Sequence, residues 1–423
     1  MKFIFHGAAY EVGRSCIELI TKRYTRVLLD AGVKLGSEGT QFPERVTNLS
    51  ELDAVFISHA HLDHTGALPL FTHQGMECPI YATSATAAIT KILLKDAYEI
   101  GKLHSPGLNY FEEDIYKALG FVKFIRKKEQ GKINDIGFRF YNAGHIPGSS
   151  SIMLNVENKN ILYTGDFNTT PTRLLNEAAA DYGEDVDILI TEATYGDRDH
   201  PPREKTEKDF LDAVEQASCS GNVLIPVFAV GRAQEIALMM AKKNFNVPVY
   251  MDGMAVDATI TALKNPNSIK DENLLRKALD KITMIKNTKQ RLRALQQKGI
   301  FISTAGMLTG GPVMDYLRHL GQSKTNSILL TGYQNKGTNG RSLLENSTAF
   351  IDGYSTRIKC SLKQFDFSAH CGMSELKRFI RAVDPETVML NHGDPHSVES
   401  LYEWAHSLDY KVHAPKICDE ITT

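Results

Sequence analysis

The sequence lacks the marks of a secreted or membrane-spanning protein. Its six cysteines form no CxxC pair and no spacing typical of a disulfide framework, so we expect free thiols in a reducing compartment. No apolar run reaches the roughly 18 residues that a transmembrane helix needs. The N-terminal residues also lack the long apolar core of a signal peptide. We therefore expect a cytoplasmic protein that does not span a membrane.

A strong excess of positive charge is absent as well. The chain carries 48 Lys and Arg residues against 50 Asp and Glu residues, which gives a net charge of −2 at pH 7. No chain-wide basic field therefore attracts a polyanion. Any binding of nucleic acid must come from a local basic groove, or from metal ions that offset the phosphate charge.

The length and the order of predicted elements indicate two domains. The chain has 423 residues, of which 42% are hydrophobic. Short strands with interspersed helices fill the first 195 residues, including a buried strand at 53–58. A charged stretch with prolines follows. Alternating strands and helices then run to about residue 345, with the strand at 328–331 predicted to be the last of its sheet. The pattern is typical of an α/β protein.

Four residues of metal-ligand type fall within six positions directly after the predicted strand at 53–58. The segment at 59–64 reads HAHLDH. Two histidines that are two positions apart at a strand end can point the same way, and the next turn can face a second ion. Neutral imidazole and carboxylate are ligands that zinc prefers in catalytic sites. The segment therefore predicts a metal site, because a single structural histidine would not account for it.

Three more residues of ligand type follow predicted strands far along the chain. His145 lies in a glycine-flanked turn, Asp166 follows a strand that ends in Gly165, and His392 precedes Gly393. Each alone is a weak signal, since polar residues at strand ends also satisfy ordinary turns. Together with HAHLDH they supply enough ligands for two metal ions.

These motifs, in this order, resemble those of the metallo-β-lactamase fold. The chain has LLDAG at 28–32 and HAHLDH at 59–64, followed by His145, Asp166 and His392. The resemblance covers essentially the whole chain.

The chain also resembles the β-CASP branch of that superfamily. In this branch a domain is inserted after an acidic residue, here Glu192, and two histidine motifs follow, here FSAH at 367–370 and His392. EVGRSC at 11–16 and STAGM at 303–307 look closest to the endonuclease subunit of the cleavage and polyadenylation specificity factor and its archaeal and bacterial relatives. The ribonuclease J group looks more distant.

The resemblance implies the fold and its division along the chain. We expect an αββα sandwich of metallo-β-lactamase type, formed by residues 1–195 and 346–423. The inserted β-CASP domain, a parallel sheet flanked by helices, would comprise residues 196–345. We expect no RNA-binding KH domain of the kind that some archaeal relatives carry, since no N-terminal segment is long enough.

The resemblance further implies two Zn²⁺ ions per chain and assigns their ligands residue by residue. One ion would be held by His59, His61 and His145. The other would be held by Asp63, His64 and His392, and Asp166 would bridge both ions.

Further acidic and basic residues are given roles in the reaction by the same resemblance. His370 would act as the general acid or bind phosphate, since histidine can be protonated near neutral pH. Glu192 would orient His370 and raise its pKa. Asp63 is expected to take part in catalysis as well as to bind metal. Asp30 matches a supporting acidic position, with a turn-capping aspartate as the alternative. For His370 the alternative is a polar residue that simply ends a strand.

Several loops after predicted strands are suited to phosphate. Hydroxyl, backbone N–H and guanidinium groups can hold an anion at such places. The candidates are Ser149, Ser150, Arg232, Ser303 and Gly306, and Lys336 and Arg341 would add positive charge. Ordinary turns and solvated charges are the alternatives for these residues.

Two zinc ions can activate water for in-line attack on a phosphodiester. His392 occupies a position at which RNA-acting members carry histidine and DNA-repair members tend to carry valine. We therefore expect a zinc-dependent endoribonuclease of RNA processing or decay, with 5′-to-3′ exonuclease activity as a further option. Single-stranded RNA is the expected partner, and a homodimer is compatible with the resemblance. A hydrolase of small esters or thioesters and a non-catalytic scaffold are the alternatives.

Overall fold

The computed structural model describes residues 1–36, 39–104 and 109–423, which form two compact units. The first unit contains residues 1–171, 175–199 and 369–423, and the second contains residues 172–174 and 200–368. These bounds differ from the domain limits at residues 195 and 345 expected from the sequence, and that domain assignment stays a prediction. Among the described residues, every helix is too short or too polar to cross a membrane.

The described residues form strands and helices with the following bounds. The strands are β1 (Lys2–Phe5), β2 (Ile17–Ile20), β3 (Arg26–Leu29), β4 (Lys34–Gly36), β5 (Gly39–Gln41), β6 (Ala54–Phe56), β7 (Ile80–Ala82), β8 (Val122–Phe124), β9 (Gln130–Ile133), β10 (Ile136–Asn142), β11 (Ser150–Val156), β12 (Lys159–Tyr163), β13 (Ile188–Glu192), β14 (Val223–Pro226), β15 (Val249–Asp252), β16 (Ile282–Ile285), β17 (Ile300–Ser303), β18 (Ser327–Leu330), β19 (Thr348–Ile351), β20 (Tyr354–Arg357), β21 (Ser361–Gln364), β22 (Thr387–Asn391), β23 (Lys411–His413) and β24 (Glu420–Thr422). The helices are α1 (Leu62–Thr65), α2 (Leu68–His73), α3 (Ser84–His104), α4 (Glu112–Gly120), α5 (Arg203–Ser220), α6 (Arg232–Met240), α7 (Met254–Lys264), α8 (Glu272–Leu279), α9 (Thr288–Ala294), α10 (Val313–Leu320), α11 (Asn339–Asn346), α12 (Met373–Val383) and α13 (Pro395–His406), with short 3₁₀ turns at Leu49–Glu51 and Pro266–Ser268.

Two seven-stranded sheets pack face to face in the described part of the first unit. Their strand orders are β24-β1-β2-β3-β6-β7-β8 and β23-β22-β13-β12-β11-β10-β9. Alternate side chains of each strand point to one face. Phe3 and Phe5 of β1 therefore meet Phe138 and Phe140 of β10 in one buried core. The apolar alternation in these strands thus produces a two-sheet sandwich.

Helices cover the outer faces of both sheets. Phe71 of α2 packs in one cluster with Val55 of β6, on the outside of the first sheet. Phe379 of α12 and Leu401 of α13 pack in another with Val388 of β22, on the outside of the second. The resulting helix–sheet–sheet–helix order confirms the αββα sandwich that the resemblance predicted.

The second unit contains a parallel sheet of order β16-β15-β17-β14-β18-β21. Helices pack on both faces, α5 and α6 through Phe210 and Ile236 on one, and α10 through Tyr316 on the other. This confirms the predicted parallel sheet flanked by helices. The prediction that β18 is its last strand is wrong, because β21 pairs with β18. The exposed, polar sequence of β21 has no apolar run that would mark it as part of this sheet.

The sandwich brings residues from distant parts of the chain to one edge. Strands β12, β13 and β22 are parallel neighbours, and so are β3 and β6. Parallel neighbours end at the same edge of a sheet. The loop after β3 lies so close to α1 that a methyl group at Gly32 would overlap the carbonyl group of Asp63. Glycine at this position therefore lets the LLDAG turn approach the HAHLDH segment.

Candidate metal centre

The HAHLDH segment leaves strand β6 and turns into the short helix α1. Thr65 Oγ1 donates hydrogen bonds to the carbonyl oxygens of Ala60 and His61, 3.1 and 3.0 Å away. The N–H of Ala31 donates to the carbonyl of His64 at 2.8 Å. These bonds fix the turn, so its side chains extend from a rigid backbone.

One group of side chains joins three histidines and an aspartate. His59 Nε2 lies 3.1 Å and His145 Nε2 lies 3.2 Å from His61 Nδ1. Asp166 Oδ2 lies 3.6 Å from His59 Nε2 and 3.7 Å from His145 Nε2. Two ligand atoms in a tetrahedral zinc site with bonds of about 2.0–2.1 Å lie about 3.3 Å apart. The four side chains therefore have the spacing of a metal site.

A second group shares Asp166 with the first. Asp166 Oδ2 lies 3.4 Å from His64 Nε2, and Asp166 Oδ1 lies 3.2 Å from His392 Nδ1. His392 Nε2 lies 3.4 Å from Asp63 Oδ2. The structure thus brings together all seven predicted ligands, in two groups that have Asp166 in common.

The distant ligands are fixed by bonds within the first unit. The N–H of His145 donates to Ser149 Oγ at 3.1 Å, and His145 Nδ1 donates to the carbonyl of Ala369 at 2.9 Å. The N–H of His392 donates to the carbonyl of Ala8 at 2.6 Å. Because Nδ1 of His145 carries the proton, its Nε2 presents a lone pair to the first group.

Asp30 supports the second group from behind. Its Oδ2 accepts hydrogen bonds from His64 Nδ1 at 2.6 Å, from Ser58 Oγ at 2.7 Å and from the Tyr163 hydroxyl at 2.7 Å. Its Oδ1 accepts the backbone N–H of Ser58 at 2.7 Å. These bonds reach residues distant in sequence, so Asp30 orients the side chain of His64, a predicted ligand. The motifs gave no signal for Ser58 or Tyr163, although each lies next to a predicted strand end.

Burial and charge set the protonation of the site. Burial lowers the pKa of His59, His61 and His145, so these imidazoles are neutral, the form that binds metals. Burial acts to raise the pKa of Asp166, but the neighbouring histidines, His392 first, outweigh it and hold that pKa well below its ordinary value. The first group thus combines neutral nitrogen donors with an ionised carboxylate, whereas in the second group nearby carboxylates, Asp166 first, outweigh burial and raise the pKa of His64 and His392.

The donor atoms fit a bound cation. His59 Nδ1 bonds to Ser58 Oγ and His64 Nδ1 to Asp30, so Nε2 is the atom of each ring that can bind a cation. On His64 a bound cation would replace the Nε2 proton that the raised pKa of this ring favours. Among the described residues, the buried His64 Nε2 has no hydrogen-bond partner. Buried lone pairs directed at one another are unfavourable unless a positive charge lies between them. The residues present therefore fit two divalent metal ions.

The predicted catalytic pair lies beside these groups. His370 Nδ1 lies 2.7 Å from Glu192 Oε2, and both residues form a third cluster with Asp166. Glu192 also accepts the N–H of Phe167 at 2.8 Å and the hydroxyl of Thr194. Burial acts to lower the pKa of His370, but Glu192 and Asp166 outweigh it and raise the pKa to about 9. Thr194 was not identified from the sequence, since a threonine near a strand end carries no distinctive signal.

The predicted phosphate contacts have other surroundings. Ser149 and Ser150 are buried, and their hydroxyls bond within the His145 turn, so neither presents an exposed hydroxyl to a phosphate. Arg232, Ser303 and Gly306 belong to the second unit. Ser303 is fully buried, and the Arg232 guanidinium lies over the Phe367 ring. Their role in phosphate binding stays a prediction.

Models of three protein domain families match successive parts of the chain. Residues 19–194 match the metallo-beta-lactamase superfamily domain, residues 233–343 match the Beta-Casp domain, and residues 355–415 match the Zn-dependent metallo-hydrolase RNA specificity domain. Together these matches include the HAHLDH segment and the later ligands.

Several relatives are similar in sequence over most or all of this chain. The chain is 40% identical to the probable RNase MJ4 of Methanocaldococcus jannaschii over 100% of both chains. It is 37% identical to RNase aCSPSF2 of Saccharolobus solfataricus, over 93% of this chain and 80% of the relative. It is 34% identical to the transcription termination factor FttA of M. jannaschii, over 92% of this chain and 66% of that protein.

A solved structure supports the fold independently. A protein of unknown function from Enterococcus faecalis V583 superposes with a TM-score of 0.64 at 15% identity, covering 100% of this chain and 99% of that one. At this identity the likeness concerns the fold alone. From the three domain matches and the full-length relatives, this chain belongs to the β-CASP branch of the metallo-β-lactamase superfamily.

Proposed function

We propose that this chain is a zinc-dependent ribonuclease that hydrolyses phosphodiester bonds of single-stranded RNA, both internally and from the 5′ end. The enzyme class, a metal-dependent ribonuclease, is that of its family and of its relatives named RNase. The identity and number of the ions, the mode of cleavage and the role of each residue are the content of the proposal. The observation that carries it is the sharing of Asp166 by two complete groups of ligand atoms.

The seven side chains divide into two ligand sets. In the proposed enzyme, His59, His61 and His145 would hold one ion, Asp63, His64 and His392 would hold the other, and Asp166 would belong to both sets. When bound, two zinc ions would supply Lewis acidity toward the phosphate and activate the attacking water. Asp30 accepts a hydrogen bond from His64 Nδ1, so that His64 Nε2 faces the second set. Ser149 Oγ accepts the backbone N–H of His145 and so fixes the turn that carries this histidine.

Glu192 and His370 supply the proton that the leaving oxygen needs. Glu192 fixes the Nδ1 proton of His370, so Nε2 is the nitrogen that donates to the departing 3′ oxygen. Burial acts to lower the pKa of His370, but the adjacent Glu192 carboxylate raises it and so favours the protonated form that donates. Cleavage on this side of phosphorus leaves a 5′-phosphate and a 3′-hydroxyl, and no side-chain nucleophile is required.

Digestion of single-stranded RNA labelled at the 5′ or the 3′ end tests the activity. The wild type should release internal fragments from both substrates and mononucleotides from the 5′ label. Asp166→Ala or a strong chelator should slow cleavage at least about 1000-fold, because both ligand sets are damaged. Asp185→Ala alters an exposed aspartate of the same unit and should cut like the wild type. The proposal fails if chelated protein still cuts RNA, or if only small thioesters are hydrolysed.

The general acid is tested by changing the leaving group. His370→Ala should lower kcat on RNA by about 100- to 10,000-fold. On a nucleotide p-nitrophenyl phosphodiester, whose leaving group needs no proton, the loss should be far smaller. His396→Ala, an exposed histidine on α13, serves as the control. Equal losses on both substrates would exclude proton donation by His370.

The zinc affinity of the protein tests whether Asp30 orients His64 for metal binding. Asp30→Asn should weaken zinc binding by about 10- to 100-fold, since it removes the negative charge that orients His64. Competition with a chromophoric chelator measures this change. Asp114→Asn alters a comparable His–carboxylate pair, with His73 at 3.0 Å, and should leave zinc affinity unchanged. Equal affinities of the two variants would contradict the role given to Asp30.

A further inference from the structure

Two aromatic side chains are exposed at one edge of the parallel sheet in the second unit. Phe228 follows β14 and is 38% exposed, and Tyr333 follows β18 and is 46% exposed. The two strands are parallel neighbours, so both loops leave the same edge. Val227 and Val230 around Phe228 are buried, which makes the exposure of Phe228 a local feature.

Glycine backbone lies directly against the Phe228 ring. A methyl group at Gly332 would lie 3.4 Å from the ring, and one at Gly306 would lie 3.4 Å from the ring and 3.0 Å from the Phe228 nitrogen. A methyl group at Gly306 would crowd the Phe228 backbone, whereas the 3.4 Å distances to the ring are ordinary van der Waals contacts. Neither glycine adds a side chain beside the Phe228 ring, and Tyr333 follows Gly332 in the chain.

The side-chain amides of two glutamines hold this surface in place. Gln334, which is 2% exposed, donates from Nε2 to the carbonyl oxygens of Gly306 and Gly332, both at 3.2 Å. Gln364 Nε2 also donates to the carbonyl of Gly332, at 3.0 Å. The loops after β17 and β18 are thus braced against each other, which reduces the entropy lost when a ligand binds there.

The topology makes this edge a ligand-binding position. Strands β14 and β18 are neighbours, and the chain passes from β14 toward β15 on one side and from β18 toward β21 on the other. In open α/β sheets, ligands bind outside the carboxyl ends of strands where connections diverge in this way. Phe228 lies in the loop after β14 and Tyr333 in the loop after β18, so the surface lies at that point.

The chemistry of the surface favours a nucleic acid base. The exposed residues next to Tyr333 are polar, Asn335 and Lys336 among them, so the apolar area is confined to the rings and is too small for a stable protein interface. Aromatic side chains accept any base by stacking, and a nearby cation contacts the backbone. Lys336, exposed on the same loop as Tyr333, supplies that cation.

We propose that Phe228 and Tyr333 stack on bases of single-stranded RNA, while Lys336 contacts the adjoining phosphate. The inference rests on the proposed ribonuclease function and names the residues with which the second unit binds the substrate. Stacking without base-edge hydrogen bonds predicts binding that tolerates any sequence.

Equilibrium binding of fluorescein-labelled single-stranded RNA tests the pair, in an Asp166→Ala background that prevents cleavage. Phe228→Leu and Tyr333→Leu keep an apolar side chain without an aromatic plane. Each should weaken binding by about 5- to 100-fold. Tyr333→Phe, which keeps the plane, should bind like its parent. Phe350→Leu removes an aromatic ring that is 62% exposed elsewhere in the same unit and serves as the matched control.

A stacking readout separates this role from a loss of folding. RNA carrying 2-aminopurine should lose fluorescence on binding the parent protein, and this quenching should fall in Phe228→Leu and Tyr333→Leu while their thermal unfolding stays that of the Phe350→Leu control. If the wild type cuts RNA but these variants bind and quench like their parent, the stacking inference fails alone. If the wild type cuts no RNA, the proposed function fails with it.

Discussion

Buried imidazole lone pairs and carboxylates that converge on one another need a positive charge between them. In the first unit, Nε2 atoms of His59 and His145 lie 3.1 and 3.2 Å from His61 Nδ1, and Asp166 stands between this group and the next. Removing such groups from water is costly unless a cation compensates. These donors are held at this spacing by the strand ends from which they extend. The turn at Gly32 lies against the backbone of Asp63, and Asp30 bonds to His64, which keeps the HAHLDH segment in place.

Much of the sandwich and of the metal centre could be predicted from the sequence, because both leave local signals. The buried apolar run at 53–58 marked the strand that the structure shows as β6 (Ala54–Phe56). Ligand-type residues directly after strands marked the site, since parallel strands deliver their ends to one edge. The order of HAHLDH, Asp166 and His392 then related these distant segments to each other, which periodicity alone could not do.

The features that could not be predicted depend on three-dimensional neighbours. Strand β21 has a polar, exposed sequence and belongs to the parallel sheet of the second unit only through its pairing with β18. The hydroxyls of Ser149 and Ser150 looked available to phosphate, but the turn around His145 uses them. Tyr163 reads as an ordinary core residue of a strand, and only its distance of 2.7 Å from Asp30 gives it a part in the site.

The central claim is that seven side chains of this chain hold two divalent ions through one shared carboxylate. Elemental analysis combined with native mass spectrometry of protein purified without chelator measures this most directly. The account predicts two zinc ions per wild-type chain and a clear loss of metal in Asp166→Asn. A wild-type chain without bound metal, or an Asp166→Asn variant that keeps both ions with unchanged affinity, would contradict it.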